Sequence, residues 1–110
     1  MTPIIVDREL KYFGDSSIER GLVQVHAPEP DQIDWRCAYR IEWPGHEFRS
    51  RAIGIDAWQA LQLAMYIVPS QIFSTADFKQ GRIGLWDKPI TTYEAICEEF
   101  GVKPVGGPKQ

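Results

Sequence analysis

Apolar and polar residues alternate along much of the first half of the chain, and the period changes near residue 56. From Ile4 to Phe13, Ile4, Val6, Leu10 and Tyr12 share one face with Arg8 while Asp7, Glu9 and Lys11 take the other, which predicts a half-buried strand. Gly14-Asp15-Ser16-Ser17 supplies turn chemistry, because glycine reaches positive φ and Asp and Ser side chains bond their own backbone. A second strand is predicted from about Arg20 to Ala27, with Gly21, Val23, Val25 and Ala27 on one face. Pro28 and Pro30 lack ladder donors, so residues 28–34 read as a break.

The cleanest pattern follows. Trp35, Cys37, Tyr39, Ile41 and Trp43 alternate with Arg36, Ala38, Arg40 and Glu42, a period of two without exception. Pro44-Gly45 then predicts a reversal, since proline presets φ for the second turn position and glycine supplies positive φ at the third. The partner strand, His46 to Ile55, sets Phe48 opposite Ile41 and Ala52 opposite Cys37. A type II turn matches strand twist poorly, so a longer loop or a bulge near the tip is expected.

At Asp56 the period becomes helical. Asp56-Ala57-Trp58-Gln59 has the form of a capping box. Along residues 57–68 only Gln59, Gln62 and the hydroxyl of Tyr66 are polar, in one narrow stripe, so the helix is expected to be enclosed on nearly all sides and to end or kink at Pro69. Residues 69–80 read as a loop with a helical turn around Ile72 to Ala76, and Gly81 to Trp86 as a short fifth strand. A closing helix is predicted from a cap at Thr91-Thr92-Tyr93-Glu94, apolar Tyr93, Ile96, Cys97 and Phe100 at helical spacing, and Gly101 at the stop position. The predicted class is α+β: an antiparallel meander of four to five strands, a main helix packed on one face and a short C-terminal helix. Residues 1–103 form one domain in this reading and 104–110 a flexible tail.

Composition changes little in that picture. A chain of 110 residues with 44% apolar and 25% charged side chains is long enough to bury a core without a metal or disulfide staple. Cys37 and Cys97 lie within apolar patterns, outside any C-x-x-C pair, and read as buried thiols. The start has no basic region or long apolar run, and the longest apolar stretch, residues 57–68, is too short to span a bilayer, so a cytoplasmic location and no membrane are expected. A net charge of −3 argues against non-specific nucleic-acid binding.

One stretch carries a resemblance. Gly54-Ile55-Asp56-Ala57-Trp58-Gln59-Ala60-Leu61-Gln62-Leu63-Ala64 resembles a family of small uncharacterised bacterial proteins, in which a strand ending G-I/V-D runs into a helix beginning x-x-Q-A-L-x-L-A. The likeness extends loosely over the arginine-bearing strand before it and leaves the chain ends uncovered. It implies a bacterial origin and this fold, and it carries over no catalytic residue.

Arg36, Arg40, Arg49 and Arg51 fall on the face of the central hairpin opposite the aromatics. Four planar guanidinium forks there could hold a phosphate, a carboxylate-rich ligand or an acidic partner; the competing account is a solvated face of Arg and Glu neighbours. His26 and His46, the two histidines, stand in neither metal-ligand nor nucleophile spacing and read as a strand-end and a turn residue. Asp77 and Asp87 lie unpaired in loop-like sequence, and no phosphate-binding glycine motif occurs. Trp43, Trp58, Trp86 and Tyr66 are a heavy aromatic load, from which a surface tryptophan could anchor a protein partner or a second copy of the chain.

The expected function is therefore a non-catalytic interaction or binding module with a protein partner or as a homodimer, without cofactor, metal or catalytic residue. The alternative is a small enzyme or small-anion-binding protein with a pocket between helix and sheet.

Overall fold

A computed structural model describes residues 2–104. Four long strands, β1 (Ile4–Phe13), β2 (Ile18–His26), β4 (Asp34–Trp43) and β5 (His46–Gly54), pair antiparallel in chain order. Two short strands extend this meander: β3 (Glu29–Asp31) pairs with the start of β4, and β6 (Ile83–Gly84) returns to the end of β1. The helices are α1 (Ala57–Phe73), α2 (Ala76–Lys79) and α3 (Tyr93–Glu99). The α+β class and the meander stand as the alternation predicted.

One face of the sheet carries the core. Leu10, Val23, Val25, Cys37, Tyr39, Ile41, Trp43 and Ala52 are buried there, and α1 packs over β4 and β5 through Ala60, Ala64, Val68 and Ile72, spaced by four. Each large side chain so enclosed stabilises the fold by about 1.5–3 kcal/mol relative to exposure. The small residues at Ala60 and Ala64 let the helix approach the sheet closely. At Gly54 a Cβ would stand 2.5 Å from the backbone nitrogen of Ala60, so only glycine fits where β5 meets the helix.

The predicted junction chemistry is formed. Asp56 caps α1 by accepting from the Gln59 N–H at 2.8 Å, and Oε1 of Gln59 reaches back to accept the Ile55 N–H at 2.8 Å. Such a cap contributes about 1 kcal/mol. Thr92 caps α3 by accepting the Ala95 N–H at 3.1 Å, and Gly101 follows the helix end at φ 73°.

Several expectations are corrected. The β4–β5 register runs unbroken from Trp35–Gly54 to Trp43–His46 across the two-residue turn Pro44-Gly45, with no bulge at the tip; Gly45 at φ 83° supplies the needed positive dihedral. Phe48 does stand opposite Ile41 and Ala52 opposite Cys37. Residues 28–34 contain β3, because the register puts Pro30 between the pairs Glu29–Arg36 and Asp31–Asp34, where its missing N–H would point away from β4. Its entry needs a kink: His26, Ala27 and Pro28 face only Cys37 and Ala38 between the β2 and β3 pairings.

α1 also runs through Pro69 to Phe73. The proline ring is buried, and the turn beyond it buries Ile72 completely and sets Phe73 against Phe78 and Tyr93. Those contacts offset the one backbone hydrogen bond that proline removes. The expected helical turn is correspondingly displaced to α2, and the fifth strand shrinks to two residues. Nor is α1 enclosed all round: Trp58 is 77% exposed and Met65 42%. Of the tail expected at 104–110, residues 105–110 lie outside the described residues.

Candidate functional site

The hairpin β4–β5 places Arg36, Arg40, Arg49 and Arg51 on the outer face of the sheet, away from the helices. Arg40 stands directly opposite Arg49, and Glu42 opposite Glu47 in the neighbouring row. Contacts along each strand and one diagonal between them relieve both like-charge pairs. Nε of Arg49 bonds Oε2 of Glu47 at 2.8 Å, Nε of Arg40 lies 3.4 Å from the same oxygen, and Arg40 also bonds Glu42. The Arg49 guanidinium, by its hydrogen bond and its charge, holds the Glu47 carboxyl below its ordinary range, with Arg40 adding to the effect. Arg36 is taken by Glu29 at 2.9 Å, with Asp31 at 3.9 Å. Arg51 is exposed and makes no ion pair among the described residues. The four arginines thus share a face without converging on a common point. Exposed pairs of this kind stabilise by at most about 1 kcal/mol each.

At one end of the same sheet stands a feature that residue types alone did not single out. Asp31 and Asp34 close the turn Gln32-Ile33, and Gly54 pairs with Trp35 immediately beside it, so Ile33 and Ile55 both project beyond the last rows of the sheet. Gln32 takes φ 59° to make that turn. Ile33 is 91% exposed, Ile55 74% and Ile53 45%. Trp58, in the first turn of α1 and 77% exposed, follows shortly after Ile55 in the chain. Solvent-exposed apolar side chains are ordinary singly; here four large ones stand uncovered toward one end of the sheet. The sequence signal was present in the isoleucines at 33, 53 and 55. Their place at or beside the ends of predicted strands concealed it, because apolar residues there read as strand packing.

His26, His46, Asp77 and Trp86 have structural partners. His26 Nδ1 lies 2.7 Å from the Thr2 carbonyl oxygen, and His46 stacks on the Trp43 indole at 4.3 Å between centroids. His46 lines a shallow cleft with Gln71, Ser74 and Thr75, in which no carboxylate or thiol is found. Asp77 accepts the Trp43 indole N–H at 2.7 Å, while Asp87 is exposed. Trp86, 62% exposed, donates to Glu99 at 3.2 Å. Cys37 and Cys97 are buried free thiols; burial pushes Cys37 up to about 11 and Cys97 in the same direction. Among the described residues no group of three or more His, Cys, Asp or Glu is placed to hold a metal ion, and no helix is long and apolar enough to cross a membrane.

Between α1 and the open half of the sheet lies a cavity of about 140 Å³ lined by Val6, Arg8, Val25, Met65, Val68 and Phe100. It is smaller than the several hundred Å³ usual for a small-molecule site. Arg8, its one cation, is already engaged: it bonds the Glu99 carbonyl, lies 3.5 Å from the Glu99 carboxylate and stacks over Phe100. That side chain fastens β1 to the end of α3.

No curated protein and no solved structure matches the chain. A family model, Domain of unknown function (DUF6968), matches residues 6–95, from the first strand into α3 and across both the arginine-bearing hairpin and the Gly54–Ala64 junction. With most of its length inside that match, the chain belongs to the DUF6968 family, a domain of unknown function.

Proposed function

We propose that this chain is a non-catalytic binding module that docks another protein on the apolar end formed by Ile33, Ile53, Ile55 and Trp58. The observation that carries this is the exposure of those four side chains, from 45% to 91%, at the one end where the β3–β4 turn and the β5–α1 junction meet. Trp is enriched among the residues that dominate binding energy, and a rigid indole orders at small entropic cost. The outer-face arginines Arg36, Arg40, Arg49 and Arg51 begin beside Ile53 and favour a partner with acidic side chains around its apolar contact. Two buried, unpaired thiols support action in the reducing cytoplasm.

The test is quantitative co-purification from the source cell, comparing the wild-type chain with Ile55→Ser/Trp58→Ser and with Arg36→Glu. Partners recovered with the wild type are expected to be lost with the double variant and weakened with Arg36→Glu. Retention of every partner by a folded Ile55→Ser/Trp58→Ser variant would overturn the assignment.

A further inference from the structure

Among the described residues β5 pairs with β4 alone, so one edge of the sheet is free along the whole strand. In a hairpin with a two-residue loop the flanking residues, here Trp43 and His46, form the closing bonded pair, and the even-numbered residues of β5 therefore bond β4. Glu47, Arg49 and Arg51 turn their N–H and C=O groups outward. From this edge we infer that the chain forms a two-fold symmetric dimer, in which β5 of each copy pairs antiparallel with β5 of the other and Phe48 lies on the axis. The contact is separate from the apolar end around Ile33, Ile55 and Trp58 and does not rest on it.

A two-fold axis perpendicular to the sheet makes a strand antiparallel to its own copy and keeps the helices of both copies on one face. The side chains choose where that axis passes. The outer face of the hairpin carries two like-charged rows that end at β5, Arg40 beside Arg49 and Glu42 beside Glu47. With the axis at Phe48, each Glu47 falls opposite the partner's Arg49, so the arginine row of either copy continues into the glutamate row of the other. Both side chains can be reached from the edge, Glu47 being 48% and Arg49 64% exposed. Moving the axis by one residue either way sets like on like at the symmetry point itself, Glu47 on Glu47 or Arg49 on Arg49. An axis between two residues would face outward groups with residues whose own groups are spent on β4.

The inner face agrees with the same axis. Phe48 meets the partner's Phe48 in a non-hydrogen-bonded pair, the kind that brings side chains closest, and His46 falls opposite Ser50. In the single chain Phe48 is only half-buried, and a cleft of about 210 Å³ lined by Ile41, His46, Phe48, Gln71, Ser74 and Thr75 opens beside it. The partner's ring enters on that side and covers the exposed part of the first. Charge on a free edge ordinarily prevents strand addition. A run of one sign does so against its own copy, whereas the order Glu47 then Arg49 does not, because the two-fold reverses it.

Each pairing of Glu47 with Arg49 exchanges both backbone bonds, but the overlap is short, so association is expected only at high concentration. Sedimentation equilibrium of the full chain, at low salt and up to about millimolar concentration, tests it. The weight-average mass is expected to rise from 12.6 kDa towards twice that value and no further, since a two-fold contact closes on itself, and to fall again with added salt. Glu47→Arg and Arg49→Glu each set like charges opposite and are expected to stay monomeric. The double exchange Glu47→Arg/Arg49→Glu is expected to recover the dimer, as is an equimolar mixture of the two single variants. A wild type that stays monomeric at every concentration, leaving the edge to a strand of another protein, overturns the proposal. So does assembly beyond the dimer, a single variant that dimerises as the wild type does, or a double exchange or mixture that stays monomeric. Should a charge variant fail to fold, Arg49→Pro removes an outward N–H without touching the β4–β5 ladder and is expected to abolish the dimer; wild-type dimerisation by that folded variant counts against the proposal. Ile55→Ser/Trp58→Ser is expected to dimerise as the wild type does, and loss of the dimer there would assign association to the apolar end instead.

Discussion

The indole N–H of Trp43 donates to Oδ2 of Asp77 at 2.7 Å, joining the end of the central hairpin to the short helix that follows α1. Trp43 is only 4% exposed, and its other face is covered by the stacked ring of His46. An indole buried so fully needs an acceptor, and Asp77 supplies a charged one. Asp77→Ala is expected to destabilise the fold by about 1–3 kcal/mol, because it strands a buried donor, and Asp77→Asn by less, because it keeps an oxygen acceptor. Urea unfolding of the two variants checks both the size and the order. Equal losses would remove the hydrogen bond as the cause.

Gly54 and Gly45 are needed for different reasons. At Gly54 an added methyl meets the backbone of α1, with Ala60 N at 2.5 Å and Gln59 C at 2.9 Å, and neither atom can swing aside. At Gly45 the space is open, but φ is 83°. Gly54→Ala is therefore expected to cost about 1–3 kcal/mol by forcing helix and strand apart. Gly45→Ala is expected to cost about 1–2 kcal/mol by backbone strain alone. Thermal melts followed by circular dichroism rank them. The sharper distinction is asparagine in place of alanine at each site: Gly45→Asn, which tolerates the left-handed region, is expected to recover part of the loss, and Gly54→Asn none.

Cys37 makes alkaline stability a readout of its burial. The thiol is wholly buried, and its pKa is pushed from 9.0 up to about 11 by desolvation. Above about pH 9 the unfolded chain gives up this proton while the folded chain keeps it, so the unfolded state binds fewer protons and stability falls as pH rises. The group's contribution is intact below about pH 9 and is lost on rising through about pH 11, at up to about 1.4 kcal/mol per pH unit. Urea midpoints between these limits are expected to decline less steeply for Cys37→Ala than for the wild type. Identical slopes would show that the thiol titrates the same way in both states.

The fold was legible in the sequence wherever the controlling pattern was local. Alternation from Trp35 to Trp43 decided which face is buried, since a strand sends successive side chains to opposite sides, and Pro44-Gly45 marked the reversal, while the unbroken register across it, without the expected longer loop or bulge, was set by the pairing of the two strands. Asp56 and Gln59 announced the start of α1 through a bond network spanning only five residues, Ile55 to Gln59. Tertiary packing decided what local rules could not. Pro69 does not stop α1 because Ile72 and Phe73, one turn further, gain more from burial than the missing hydrogen bond costs. β3 forms despite its proline because the register turns that residue's nitrogen away from β4.

The same division holds for the candidate site. Sequence placed Arg36, Arg40, Arg49 and Arg51 on one face, but only the pairing of two strands shows Glu47 shared between Arg40 and Arg49 and Arg51 left without a carboxylate among the described residues. It marked Trp58 as a possible anchor among several aromatics, without telling it from Trp43, which is buried. Periodicity specifies which side of an element is apolar. Which apolar side finds cover, and which strand lies at the edge, depends on neighbours distant in the chain, and that is decided only when the elements assemble.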